Sequence, residues 1–145
     1  MLNTPKTILI VDDEPLVATT LVAILNLCIG EFAAVAATTV EEALAIVRGI
    51  TPDLVLLDVM MPGVERLEHA IEIRDECGCH VLLMSGAGRT AAVLEDLVQD
   101  GIAAFEIVPK PIHPQELIRK VRDVIAQQPK IERRNPLKFR SQSAT

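Results

Sequence analysis

The chain has 145 residues, half of them hydrophobic but only 2% aromatic, and a formal net charge of −6. That length is about one domain and is enough to close a core without a disulfide or a metal. The acidic balance weighs against nucleic acid as the main partner, and no apolar run reaches the roughly 18 residues of a membrane span.

The first strand is predicted over about Thr7–Val11, ending in Asp12-Asp13. A helix follows from about Glu14, with Pro15 suited to its first turn. Its apolar positions Val17, Leu21, Ile24, Leu25 and Cys28 recur on one face, and Gly30 marks the stop. A second strand is predicted from Phe32 to Ala36. Thr39-Val40-Glu41-Glu42 has the form of a capping box and opens a second helix that runs to about Arg48. Thr51-Pro52 breaks the chain, and the run Asp53-Leu54-Val55-Leu56-Leu57 carries a third strand into Asp58. Pro62-Gly63 breaks it again. A third helix is predicted over Glu65–Glu76, a fourth strand over His80–Met84 ending in Ser85, and a fourth helix from Thr90 to about Gln99. A fifth strand over about Ala104–Val108 leads to Lys110. Pro114 opens a fifth helix, with Leu117, Ile118, Val121, Val124 and Ile125 on its apolar face.

Five strands alternating with five helices predict an α/β domain with a parallel sheet and right-handed crossovers. Residues 1–127 form that domain. Residues 128–145 change character, with Lys130, Arg133, Arg134, Lys138 and Arg140 against the single acid Glu132, and read as a basic tail. The three cysteines are Cys28, Cys77 and Cys79. An odd count without an N-terminal signal segment points to a reducing, cytoplasmic setting. Cys77-Gly78-Cys79 lacks a second Cys or His cluster at ligand spacing, so it reads as a turn into a strand rather than a redox or metal pair.

Four of the predicted strands end in a chemically capable side chain. In open parallel sheets ligands bind outside the carboxyl ends of the strands, so Asp12, Asp13, Asp58, Ser85 and Lys110 gather at one edge. A carboxylate at the end of a buried strand is costly unless it meets a cation or a donor. Two such charges 4 Å apart repel by roughly 4 kcal/mol at an effective dielectric near 20. Retained protons or a divalent cation would relieve this, and an all-oxygen donor set favours Mg²⁺. A carboxylate beside such an ion can act as a nucleophile toward phosphorus. Lys110 would then supply a compact cation for phosphoryl oxygens and Ser85 a hydroxyl donor.

The blocks Ile8-Leu9-Ile10-Val11-Asp12-Asp13-Glu14, Leu57-Asp58-Val59-Met60-Met61-Pro62-Gly63, Met84-Ser85-Gly86 and Pro109-Lys110-Pro111 resemble the signature blocks of response regulator receiver domains. The resemblance covers about residues 5–127. It implies a flavodoxin-like, doubly wound five-stranded sheet of order 2-1-3-4-5 with five helices. It also implies that Asp58 accepts the phosphoryl group and that Asp13 ligates Mg²⁺ directly. Asp12 would ligate directly or through water, and the Met60 carbonyl is a further ligand. Ser85 and Lys110 would contact the phosphoryl group, with Lys110-Pro111 a cis peptide.

The sequence departs from the family pattern in places. Glu65-Arg66 replaces the usual Asp-Gly. Ile107 stands at the switch position where Tyr or Phe is usual, while Phe105 lies two residues earlier on the same strand face. The switch candidates are therefore Ser85, Ile107 and Phe105, with plain core packing the expectation for Phe105. Met60 and Ala87, which flank the phosphoryl site in the family, are apolar, so autodephosphorylation is expected to be slow. His69, His80 and His113 carry no histidine-kinase or phosphotransfer context, and the donor histidine is expected on a partner.

The expected function is that of a stand-alone receiver, not an enzyme acting on other substrates. A sensor histidine kinase or histidine phosphotransfer protein would phosphorylate Asp58. The face built from the fourth helix, fifth strand and fifth helix would then bind a downstream protein or a second copy of the chain. The alternatives are a phosphorelay intermediate and a constitutive interaction module. DNA binding through the basic tail lacks a helix motif or stacking aromatics. A phosphatase using an Asp nucleophile would usually carry a second Asp two residues on, where this chain has Met60.

Overall fold

A computed structural model of the chain describes residues 4–59, 68–85 and 105–127. Met60, Glu65-Arg66, Ala87, the helix expected over Thr90–Gln99 and the basic tail lie outside these residues. The described elements are β1 (Lys6–Val11), α1 (Pro15–Asn26), β2 (Phe32–Ala37), α2 (Val40–Gly49), β3 (Leu54–Asp58), α3 (Glu68–Cys77), β4 (His80–Ser85), β5 (Glu106–Pro109) and α4 (Pro114–Gln127). The five strands form one sheet of order β2-β1-β3-β4-β5, every pair parallel. The last helix, expected as the fifth, is thus the fourth among the described residues.

The central strands are apolar throughout Ile8–Val11, Leu54–Leu57 and Val81–Met84 because both faces are covered there, the arrangement that all-parallel pairing with crossover helices demands. Successive side chains point to opposite faces. Leu9, Val11, Val55, Leu57, Val81 and Leu83 pack with Ala43 and Val47 of α2 and Ala70 and Ile73 of α3. Ile8, Ile10, Leu54, Leu56, Leu82 and Met84 pack with Leu21 and Leu25 of α1 and Leu117, Val121 and Val124 of α4. The predicted helix faces are therefore the buried ones. Ile118 and Ile125 lie at the margin of the α4 stripe, as do Val17, Ile24 and Cys28 for α1.

The local stops and starts follow side-chain chemistry. Gly30, with φ of 82°, supplies the left-handed residue that turns the chain from α1 toward β2. The Thr39 hydroxyl oxygen accepts from the Glu42 N–H at 3.0 Å, while the Glu42 carboxylate accepts from the Thr38 N–H at 3.2 Å. The capping box is thus present, with its return bond one residue earlier than usual. The Asp53 carboxylate accepts from the Thr7 N–H at 2.8 Å and the Asp53 N–H donates to the Thr7 carbonyl at 2.8 Å, fixing the register of β1 on β3. On the edge strand, the Asn26 side chain accepts from the Ala34 N–H at 2.8 Å.

The Cys77–Gly78–Cys79 segment corrects the plain-turn expectation in part. The turn forms, with Gly78 at φ of 63° and its N–H donating to the Arg74 carbonyl at 2.8 Å. The two sulfurs are also bonded to each other as a disulfide. Gly78 reverses the chain so that the Cα atoms of its neighbours lie 5.2 Å apart, inside the range a disulfide bridges.

Candidate functional site

The register brings the ends of β1, β3, β4 and β5 together. Val11 pairs with Leu57, Asp58 with Met84, and Ser85 with Pro109, so the residues that follow each strand emerge at one edge. The first strand ends beside the third because β2 lies on its other side. Loops from β1 and β3 therefore diverge to opposite sides and leave a crevice between them.

Asp12, 0% exposed, lies at the floor of this crevice, and Asp58 is 4% exposed. Asp13 is exposed at the mouth. One carboxylate oxygen from each of the three lies within 4.8 Å of the others, a spacing able to hold a metal ion. The donors are all hard oxygens and no His or Cys joins them, which suits Mg²⁺ better than a soft metal. The second Asp12 contact is local, with Oδ1 accepting from the Glu14 N–H at 3.0 Å. That bond turns the chain into α1, where Pro15 occupies the first turn.

Lys110 enters from β5. Its Nζ donates to Asp12 Oδ2 at 2.6 Å and lies 3.3 Å from Asp58 Oδ2. Burial alone would push this ammonium down from its ordinary value of 10.5. The hydrogen bond it donates to Asp12 and the negative fields of Asp58 and Asp12 outweigh that burial and hold it above 10.5. The Lys110–Pro111 peptide is cis, as the resemblance implied. The Lys110 N–H donates to the Ser85 carbonyl at 2.7 Å, so the ends of β4 and β5 are tied through the backbone. Ser85 is 2% exposed and adjoins Met84, the register partner of Asp58.

A profile of the response regulator receiver domain matches residues 8–122. The chain belongs to the response regulator receiver family. The receiver is 34% identical over 116 residues to the DNA-binding response regulator MtrA of Mycolicibacterium smegmatis, covering 79% of this chain and 48% of that protein. It is also 34% identical over 131 residues to the ycf27 regulator of Porphyra purpurea, covering 90% of this chain and 52% of that protein. The chain thus spans about half the length of these curated relatives. Among solved structures, a CheY-like receiver domain protein from Methanospirillum hungatei superposes with a TM-score of 0.73 at 23% identity, covering 86% of this chain and 97% of that one. A response regulator from Thermotoga maritima gives a TM-score of 0.70 at 25% identity, covering 86% of this chain and all of that one.

The receiver's sequence-predicted residues divide three ways. Asp12, Asp13, Asp58 and Lys110 converge, and Ser85 lies at the end of the neighbouring strand. Met60 lies outside the described residues. Phe105 and Ile107 pack, half-buried, against the cluster under α2 and α3, away from the crevice floor, and the Arg74 guanidinium lies 5.1 Å from the centre of the Phe105 ring. Of the histidines, His69 is 3.7 Å from Glu72 on its own helix and the His113 carbonyl accepts the Leu117 N–H, opening α4. Sequence reasoning missed two contacts, the direct Lys110–Asp12 pair and the stacking of Arg74 on Phe105. Neither has a local signal. The first joins residues 98 apart in the chain.

Proposed function

We propose that Asp58 accepts a phosphoryl group from a phosphohistidine on a sensor kinase or phosphotransfer protein, and that the modified receiver changes which protein it contacts. The observation that carries this reading is the convergence of Asp12, Asp13 and Asp58 within 4.8 Å of one another, with the Lys110 ammonium 2.6 Å from Asp12 and 3.3 Å from Asp58. A nucleophilic carboxylate, a hard-donor cluster and a cation for phosphoryl oxygens are the parts that in-line phosphoryl transfer needs.

Asp58 attacks phosphorus through a carboxylate oxygen. The new P–O bond forms as the P–N bond to the donor imidazole breaks, and the imidazole takes up a proton. Bound Mg²⁺ would neutralise phosphoryl and carboxylate charge during transfer, and Asp12, Asp13, Asp58 and the Met60 carbonyl would hold it. Lys110 exchanges its Asp58 contact for a phosphoryl oxygen, and the Ser85 hydroxyl donates to another. The same chemistry accepts small phosphodonors without a kinase. Hydrolysis of the acyl phosphate is slow because Met60 and Ala87 cannot orient water. The receiver works in the cytoplasm, and its downstream contact is another protein or a second copy of the chain. The relatives described as DNA-binding regulators make a receiver coupled to an output domain one form this control can take.

The test is incubation with Mg²⁺ and acetyl phosphate or phosphoramidate, followed by intact mass. Wild type should gain one PO₃H unit and Asp58→Ala none. No gain in wild type, or an equal gain in the variant, removes the assignment.

A further inference from the structure

The phosphoryl chemistry leaves one reactive group of the receiver unused. Cys77 is the last residue of α3, and Cys79 immediately precedes β4. They lie at the amino-terminal edge of the sheet, where His80 pairs with Leu54, and the crevice is at the opposite edge. Their sulfurs are joined across the single residue Gly78, and the Cys79 N–H points at the Cys77 sulfur at 3.2 Å.

Three readings compete for this pair. A structural staple gains most from closing a long loop, and a loop of three residues constrains the unfolded chain least. A metal site would need further ligands. Among the described residues Asp12, Asp13 and Asp58 form the one cluster of three or more metal-ligating side chains, so His80 does not complete a site with the two sulfurs. The third reading is sulfur chemistry within the pair, and the local structure suits it. Gly78 at φ of 63°, its N–H anchored on the Arg74 carbonyl, places the two Cα atoms 5.2 Å apart. The carboxyl end of a helix carries partial negative charge, so a neutral disulfide fits there better than a thiolate. Cys79 is half-buried while Cys77 is 7% exposed, which makes Cys79 the sulfur that a solution reagent reaches first.

We propose that Cys77 and Cys79 form a reversible dithiol–disulfide couple that exchanges with small thiols and disulfides. In the closing direction, the Cys79 thiolate attacks a disulfide R–S–S–R, forming a mixed disulfide and releasing one R–S⁻. The Cys77 thiolate then displaces the second R–S⁻ and closes the Cys77–Cys79 bond. The two protons of the cysteine thiols end on the released R–S⁻ groups. The receiver loses two electrons and R–S–S–R becomes two R–SH. The reaction rests on none of the phosphoryl chemistry at the other edge. The couple closes the last turn of α3, whose Arg74 carbonyl accepts the Gly78 N–H and whose Arg74 guanidinium is stacked on Phe105.

The experiment equilibrates the receiver in glutathione buffers of graded reduced-to-oxidised ratio, quenches with acid, labels free thiols with a maleimide and counts labels by intact mass. Wild type should pass from three labels to one, and Cys28→Ser from two to none, with no species of intermediate count accumulating. Under oxidised glutathione, with Cys28→Ser also present in both, Cys77→Ser should trap a glutathionyl adduct on Cys79 faster than Cys79→Ser traps one on Cys77. Three labels on wild type in every buffer, one label in every buffer including excess reduced glutathione, or a retained glutathione in Cys28→Ser would each overturn the couple. Faster trapping on Cys77 would overturn the order of attack. The label count is read on wild type itself, so misfolding of a variant leaves the test of the couple intact.

Discussion

Replacing Lys110 with methionine tests the electrostatics of the crevice most directly. At an effective dielectric near 20, charges at 2.6 Å attract by roughly 6 kcal/mol and at 3.3 Å by roughly 5 kcal/mol. In Lys110→Met both terms vanish. Asp12 and Asp58, with oxygens no more than 4.8 Å apart, are left repelling by about 3.5 kcal/mol or more. Desolvation of the ammonium opposes the gain, and removing one member of a buried ion pair costs about 3–5 kcal/mol net. The Lys110 side chain is 22% exposed, so water screens part of it, while Asp12 has no such access. We expect a loss of about 2–4 kcal/mol at neutral pH without divalent cations, a large share of a domain's usual stability. Urea unfolding would read it as a lower midpoint at unchanged slope. The pH dependence has a definite sign. Because Lys110 is held above 10.5, its contribution is fully present below 10.5 and is lost as pH rises through the raised value. Wild type and Lys110→Met should converge in strong alkali. Equal midpoints at neutral pH would refute the view that this ion pair holds the apo site together.

Three further outcomes are expected. Asp13→Asn removes one charge from the exposed side of the cluster, so in chelator it should match or exceed wild type by about 1 kcal/mol, and millimolar Mg²⁺ should raise its urea midpoint less than that of wild type. Thr39→Ala loses the cap that receives the Glu42 N–H and should cost about 1 kcal/mol by thermal unfolding, with no change in phosphoryl uptake. The acyl phosphate on purified receiver, followed by intact mass after removal of the donor, should last minutes or longer. Decay within seconds would mean that some group other than Met60 or Ala87 orients the water.

Legibility in the sequence followed the range of the interactions. The sheet was readable because Ile8–Val11, Leu54–Leu57 and Val81–Met84 are apolar on both faces, which only a covered parallel sheet satisfies. Asp12 and Asp58 stood out because a charge closing such a run needs a partner, and Ser85 and Lys110 because they close the neighbouring runs. Which partner each takes was not readable. The Lys110 ammonium prefers Asp12 to Asp58 by 0.7 Å, a choice made by β5 meeting β4 rather than by any spacing. Asp53 was read as the entry to a strand, yet its carboxylate closes a bond to Thr7 46 residues away. The cysteine pair reads as a turn because no second Cys or His cluster stands at ligand spacing, a test for a metal site that says nothing of a bond within the pair. The bond needs the φ of Gly78 as well.

The loss of an aromatic at position 107 changes how a signal can leave the crevice. Three carboxylates and one ammonium carry a formal charge of −2, which a divalent cation balances. Under the proposed function, a phosphoryl group on Asp58 would replace one negative charge with up to two and move them outward from the strand end. On the proposed reading the ammonium would follow the stronger charge, and the Lys110 N–H, bonded to the Ser85 carbonyl at 2.7 Å, ties any backbone share of that movement to the end of β4. Any phosphoryl contact made by the Ser85 hydroxyl pulls on the same junction. Ile107 and Phe105 sit on the other side of that junction, packed against the core under α2 and α3, with Phe105 under Arg74. On the proposed reading, a displacement of the β4–β5 ends would reach the α3 end through these packed side chains. Such a route would need no aromatic rotamer to flip, which is how a receiver with Ile107 at the usual switch position would switch under the proposed function.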